Sequence, residues 1–148
     1  MTNWNPVTID DLKAAGHGDI ITAAQTTAVG SVDPVATAIA GAISRVRGAI
    51  QTGNQLDIDV TRIPNSLREL TVRIAIFALT ERIGMELNQD QRDTKKNDYS
   101  YLNRITDQKL RFELPDNPGG SAEMQVGPTT ETVQPGNFGN SREDLNRL

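Results

Sequence analysis

The chain has 148 residues, a formal net charge of -4, 36% hydrophobic and 4% aromatic residues, no cysteine and a single histidine. This is length for one domain with one core, not two. The composition excludes disulfides and thiolate chemistry and a His-based zinc site within one chain, and the charge disfavours a general nucleic-acid binder, which needs a basic footprint. Aromatic content is lean for a self-sufficient globule, so part of the chain is expected outside the core, or neighbours are expected to complete it.

At the N-terminus MTNWNPVTIDDLKAAGHG lacks a basic segment followed by an apolar one and does not read as a signal peptide. Thr8-Ile-Asp-Asp11 carries a helix-capping pattern, so Asp10 and Asp11 read as helix-start residues ahead of catalytic acids. Gly16-His17-Gly18 ends that helix, and His17 reads as a solvated turn residue. A second short helix is expected from Asp19, with Ile20, Ile21 and Ala24 on its apolar side. Thr26 to Val32 reads as a polar linker.

Asp33-Pro34 is a strong helix start, Asp as N-cap and Pro at the first position. Beyond it Val35, Ile39, Ile43, Val46 and Ile50 form one stripe at the helical period. Ala36, Ala40, Gly41 and Ala42 flank the stripe and would let another helix approach closely. Arg45 and Arg47 are expected on the outer face, and Gly53-Asn54 is expected to end the helix. Gln55 to Ile63 reads as a loop. In it Asp57 and Asp59 alternate with Leu56, Ile58 and Val60, as in a brief extended segment with its acids to one side. Two acids do not make a calcium loop, which needs several more oxygen ligands.

Arg62 to Leu87, RIPNSLRELTVRIAIFALTERIGMEL, is the most hydrophobic stretch. Pro64 disfavours helix at Ile63, and Ser66-x-x-Glu69 reads as a capping box. Leu67, Leu70, Ile74, Phe77 and Ala78 line one face; Val72, Ile76, Leu79, Ile83 and Leu87 line another. A helix apolar on two faces is sandwiched between neighbours; over this stretch it would be about 30 Å long. Glu69 and Arg73 form an i,i+4 pair on its polar strip. The apolar run from Val72 to Leu79 is interrupted by Arg73 and is too short and charged to span a bilayer. Asn88 to Leu110 reads as a polar helix with a narrow seam of Tyr99, Leu102 and Ile105, its remaining surface covered by charges that include Asp98.

The fold class expected is mainly α: a small helical bundle around one long buried helix, residues 1–114, with an extended Gly/Pro-rich arm over 115–148. In isolation an arm of this composition is expected to be mobile, and to order only where a partner or a neighbouring copy holds it. Ser141-Arg-Glu-Asp144 offers a cap for a final helical turn ending at Leu148. In this featureless segment Phe138, Arg142, Leu145 and Leu148 stand out as docking points: one aromatic, one fork-shaped donor and two apolar anchors. There is no GxxxxGK[ST], no GxSxG and no metal-ligand spacing. No catalytic residue, cofactor or metal is expected, and an enzyme acting through Asp10 or Asp11 would need a concave pocket around the first helix.

Three segments carry a resemblance: Val7-Thr-Ile-Asp-Asp-Leu12, the Ala38-Ile39 and Ala42-Ile43 pairs within Val35–Ile50, and Ile63-Pro64-x-x-Leu67-Arg68-x-Leu70 leading into Arg73-Ile-Ala-Ile-Phe-Ala-Leu79 and Arg82. Together these residues resemble the head–tail connector (adaptor) proteins of tailed bacteriophages, including the related Mu-like prophage connectors, over roughly residues 7 to 87. Many such proteins carry an Arg-Tyr-x-x-Pro-Leu stretch where this chain has Gln55 to Ile63. The resemblance implies a virion protein at the capsid vertex, assembled in the host cytoplasm. It would be a subunit of a homo-oligomeric ring, twelvefold in the family pattern, seated under the portal protein. That ring would contact further neck or tail proteins and pass DNA through its lumen without sequence-specific binding, with no membrane involved. The acidic balance agrees with a channel wall that lets DNA slide. The alternative is a small helical regulatory or DNA-associated module with a flexible tail, whose basic patch would be Arg45, Arg47, Arg62, Arg68 and Arg73. The two readings differ in whether those arginines converge on one exposed face or pair with acids such as Asp57, Asp59 and Glu86.

Overall fold

The computed structural model describes residues 2–52 and 54–119. Within them the chain is mainly helical, as its patterning requires. The order is β1 (Trp4–Pro6), α1 (Ile9–Ala14), α2 (Gly18–Thr26), α3 (Pro34–Gln51), β2 (Arg62–Pro64), a 3-10 turn (Asn65–Leu67), α4 (Arg68–Arg82) and α5 (Gln89–Thr106). The two short strands pair antiparallel, Asn5 opposite Ile63.

Helix starts follow the caps read from the sequence in two places. The Asp11 carboxylate reaches back to accept from Thr8 N at 2.7 Å, and Asp33 Oδ1 accepts from Val35 N at 2.9 Å ahead of Pro34. At α5 a reciprocal box closes the N-terminus, Asn88 Oδ1 accepting from Gln91 N and Gln91 Oε1 from Asn88 N. The start of α4 departs from expectation. Ser66 and Glu69 do not cap each other; instead Ser66 N and Oγ donate to the Glu113 carboxylate at 3.2 and 2.6 Å. The 3-10 turn moves Ser66 out of the N-cap position, and a residue distant in sequence takes the orphan donors.

α4 is the buried centre, against α3, α2 and α5. Nine of its fifteen residues are buried: Leu70 to Val72, Ile74 to Phe77, Leu79 and Thr80. The two buried threonines return their hydroxyls to Leu67 O and Ile76 O, one turn back, so no donor is orphaned. The helix is shorter than the apolar pattern suggests, about 22 Å. Gly84 adopts φ +77 and Met85 N returns to Thr80 O, which closes the C-terminus before Leu87 can join. Leu87 still reaches the interior from the loop. The α3 stripe faces inward as expected, with Val46 and Ile50 fully enclosed and Ile39 half-buried.

Two charged residues expected on solvated faces are buried. Arg47 is 8% exposed and Asp98 5%. Arg47 follows Ile43 by four residues and precedes Ile50 by three, so the helical period places it at the edge of the apolar stripe. Asp98 accepts two bonds at 2.9 Å from Arg73 Nε and Nη2 of α4, a fork-to-fork pair in place of the expected Glu69–Arg73 pair.

Residues 113–119 close the body. Asp116 accepts from Asn3 N and Trp4 N, Glu113 O accepts from Trp4 Nε1 at 2.8 Å, and Asn117 N donates to Asp57 Oδ2. Pro118 pairs antiparallel with Asp57.

Candidate interaction surface

The loop from Leu56 to Thr61 is organised around Arg47. Its Nη2 donates to Asp57 O at 2.7 Å and its Nη1 to Asp59 O and Arg62 O at 3.0 and 2.6 Å, while the guanidinium lies 5.9 Å from the ring of the fully buried Trp4. Burial pulls the Arg47 pKa below its ordinary value, opposed by the charges of Asp57 and Asp59; the group stays protonated. The two acids do not share one open side. Asp57 is buried and accepts from Asp59 N and Asn117 N. Asp59 accepts from Thr61 N and Oγ1, hydrogen bonds that hold its carboxyl below the usual range, and lies 3.3 Å from Arg62 Nε. The alternation is inverted relative to expectation: Ile58 and Val60, 71% and 72% exposed, face out while Asp57 goes in. Among the described residues no group of three His, Asp or Glu side chains could hold a metal ion.

The five arginines of the candidate basic patch do not form one exposed face. Arg45 lies over the Tyr99 ring at 5.0 Å, Arg47 is buried, and Arg62 meets Asp59. Arg68 meets Asp11 at 2.7 Å and Arg73 meets Asp98. Each is engaged within its own chain.

Around α1 a shallow cavity of about 280 Å³ is lined by Asp11, His17, Arg68, Glu69 and Arg73 among others. Burial raises the Asp11 pKa, but the Thr8 N–H and the Arg68 guanidinium outweigh it and hold the carboxyl below its ordinary value. Asp11 is therefore a committed carboxylate. Asp10 is exposed beside it and has no hydrogen-bond partner among the described residues.

A groove of about 870 Å³ runs along the outer face of α3. Ala36, Ala40, Ser44 and Gly48, four residues apart and all exposed, form its floor. Ile39, Ile43, Leu56 and Val60 form its apolar walls, with Val7 and Ile9 also lining it. Large exposed apolar side chains elsewhere are Val29, Val32, Met85 and Leu114. Of the small residues flanking the α3 stripe in the sequence, Ala36 and Ala40 lie on this floor, while Gly41 does not line the groove and Ala42 is buried. The Arg47 clamp, Trp4, Glu113 and Asp116 were missed because their partners are backbone groups far away along the chain. Phe138, Arg142, Leu145 and Leu148 lie outside the described residues.

No helix among the described residues is long and apolar enough to cross a membrane. No curated protein and no solved structure matches the chain. The profile of one family, described as Bacteriophage Mu, Gp36, matches residues 7–127, from the residue before the Thr8 cap through all five helices and beyond the closing segment. The chain thus belongs to the bacteriophage Mu Gp36 family.

Proposed function

We propose that this chain is a non-catalytic structural protein of the virion, a head–tail adaptor subunit. In this reading copies of the helical body pack side by side in a ring beneath the portal, extend the DNA channel and join capsid to tail. The arm after the body, through Phe138, Arg142, Leu145 and Leu148, clips to the portal or to an adjacent subunit. Membership of a phage family supports a virion role, and the observation that carries the structural reading is the state of the arginines. With Arg47 buried, Arg62, Arg68 and Arg73 paired to acids and Arg45 stacked on Tyr99, these five arginines do not converge into one cationic face for phosphates among the described residues. That disfavours the DNA-associated module, whose affinity would have to come from such a face.

The test is the solution mass of the purified chain, full length and ending at Pro128, with and without assembled portal. Ending the chain at Pro128 keeps the family-matched region and the closing contacts of Glu113 to Gly119, and removes all four docking candidates. Full-length chain joining the portal while the shortened chain stays free supports an adaptor that docks by its arm. Monomers that ignore the portal in both forms would sink the reading.

A further inference from the structure

Three cations left without an acid lie around one trough near the C-terminal end of α4. Two clefts meet there, of about 450 and 700 Å³, and both are lined by Glu81, Lys95 and Tyr99. Together they carry five cations, Arg45, Arg82, Arg92, Lys95 and Lys96, against two acids, Glu81 and Glu86, in a chain of net charge -4. Lys95 pairs with Glu81, and Arg92 lies 3.9 Å from Glu86. Arg45, Arg82 and Lys96 are exposed and form no ion pair among the described residues. Arg45 rests over the Tyr99 ring at 5.0 Å, which directs the guanidinium without neutralising it. Between the cations the lining is apolar, with Phe77, Ala38, Ala42 and Ala78.

The other end of α4 is acidic. Asp11 is committed to Arg68 there, while Asp10, Asp19 and Glu69 are exposed and form no ion pair among the described residues. Glu69 lines the shallow cavity at α1, and Asp10 and Asp19 flank its lining residues Asp11 and His17 in the chain. Lys13 is the one lysine or arginine of α1 and α2. From Arg68 to Arg82 the helix rises about 21 Å, so a copy cannot close its acidic end on its own trough.

We propose that the trough at the C-terminal end of α4 receives the acidic α1–α2 corner of a second copy of this chain, a head-to-tail contact. Charge complementarity selects the occupant. Arg45, Arg82 and Lys96 lack carboxylates, Asp10, Asp19 and Glu69 lack cations, and guanidinium forks suit carboxylates. Nucleic acid fits less well, because Glu81 and Glu86 stand within the trough and would face its phosphates. The two faces differ, so a docked pair still presents one free face of each kind, and the contact repeats until a ring closes. The inference deepens the ring reading by naming the surfaces through which neighbours meet. It rests on that reading for closure alone and can fail while the portal-docking role stands.

The test is sedimentation of the full-length chain at low salt over a range of concentration, with two neutralised variants. One carries Arg45→Gln, Arg82→Gln and Lys96→Gln; the other carries Asp10→Asn, Asp19→Asn and Glu69→Gln. The parent should assemble beyond a dimer, weakening by roughly tenfold as salt rises to about 0.5 M and screens the contact. Each variant alone should stay monomeric where the parent assembles. An equimolar mixture of the two should form a 1:1 dimer and stop, because each partner keeps one intact face. A mixture that stays monomeric, a variant that assembles like the parent, or a parent that is monomeric throughout would overturn the proposal. Duplex DNA that binds the parent but not the Arg/Lys variant would also overturn it, in favour of phosphates in the trough. Portal joining by the parent, measured separately, tells failure of this contact from failure of the adaptor reading. Trp4 emission and helical circular dichroism check that each variant is folded.

Discussion

Replacing Arg47 tests the central claim about this fold, that a buried cation on α3 holds the Leu56–Thr61 loop. The guanidinium satisfies three carbonyls at 2.6 to 3.0 Å. Hydrogen bonds from a charged donor contribute about 1.5–3 kcal/mol each. Asp59 and Arg62 are half-exposed, so water can replace part of their loss, and about 1 kcal/mol each is appropriate there. Asp57 is 2% exposed, and its carbonyl left alone costs about 2 kcal/mol. Arg47→Met keeps the stem against Trp4 and should therefore cost about 4 kcal/mol; Arg47→Ala adds about 1 kcal/mol of lost packing. Arg47→Lys retains a charge but not the planar fork and should lie near 2 kcal/mol. Domains of this kind are stable by about 5–15 kcal/mol in total, so the Met and Ala variants would be marginal. Urea unfolding read by Trp4, the single tryptophan, measures this as a fall in midpoint of about 2 M for Arg47→Met. If Arg47→Met costs under 1 kcal/mol with an unchanged slope, the clamp is not what orders the loop.

Glu113→Ala should destabilise the chain by about 1 kcal/mol through the lost cap on Ser66, while Glu69→Ala should change it by under about 0.5 kcal/mol; equal losses in thermal unfolding would restore the Ser66–Glu69 box. Asp98→Asn weakens the fork to Arg73, whose hydrogen bond with Asp98 raises its pKa above the ordinary arginine value. Because the Arg73 side chain is 38% exposed and can rehydrate, a loss of about 1–2 kcal/mol is expected in urea unfolding, and a neutral substitution would refute the pairing. Asp116 has its pKa lowered by the Trp4 and Asn3 amides. Its contribution is therefore present above its unfolded pKa of about 3.9 and lost as pH falls through the lower folded value. The gap in thermal midpoint between the parent and Asp116→Asn should be widest near pH 6 and narrow as pH falls below the unfolded value; a gap independent of pH would contradict the assignment.

What the sequence made legible was what local chemistry decides. The Asp33-Pro34 start, the Thr8–Asp11 cap and the apolar period of α3 and α4 act within a few residues, and each reappears in the structure. Where a distant residue outbids a local one, the reading failed. Ser66 takes Glu113 in place of Glu69, and Arg73 takes Asp98 in place of Glu69. Asp57 turns inward because Asp59 N and Asn117 N meet its carboxylate and Arg47 meets its carbonyl, donors that no periodicity records. The candidate interaction surface was half visible: the small residues of α3 mark its floor, but its walls come from Leu56 and Val60, placed only once the loop is clamped.

The closure of the body by Glu113 to Gly119 also sets an order of events during synthesis. Trp4 leaves the ribosome well before its partners, and its backbone and indole donors wait for acceptors more than a hundred positions later. The helices between them can form as they emerge, since the backbone hydrogen bonds within each helix are local. β1 can pair with β2 earlier, but the Asn3 and Trp4 amides have no carboxylate acceptor until Asp116 has cleared the exit tunnel. A chain released early, at Leu114, would carry every helix of the described fold and still lack Asp116, which accepts from the Asn3 and Trp4 amides.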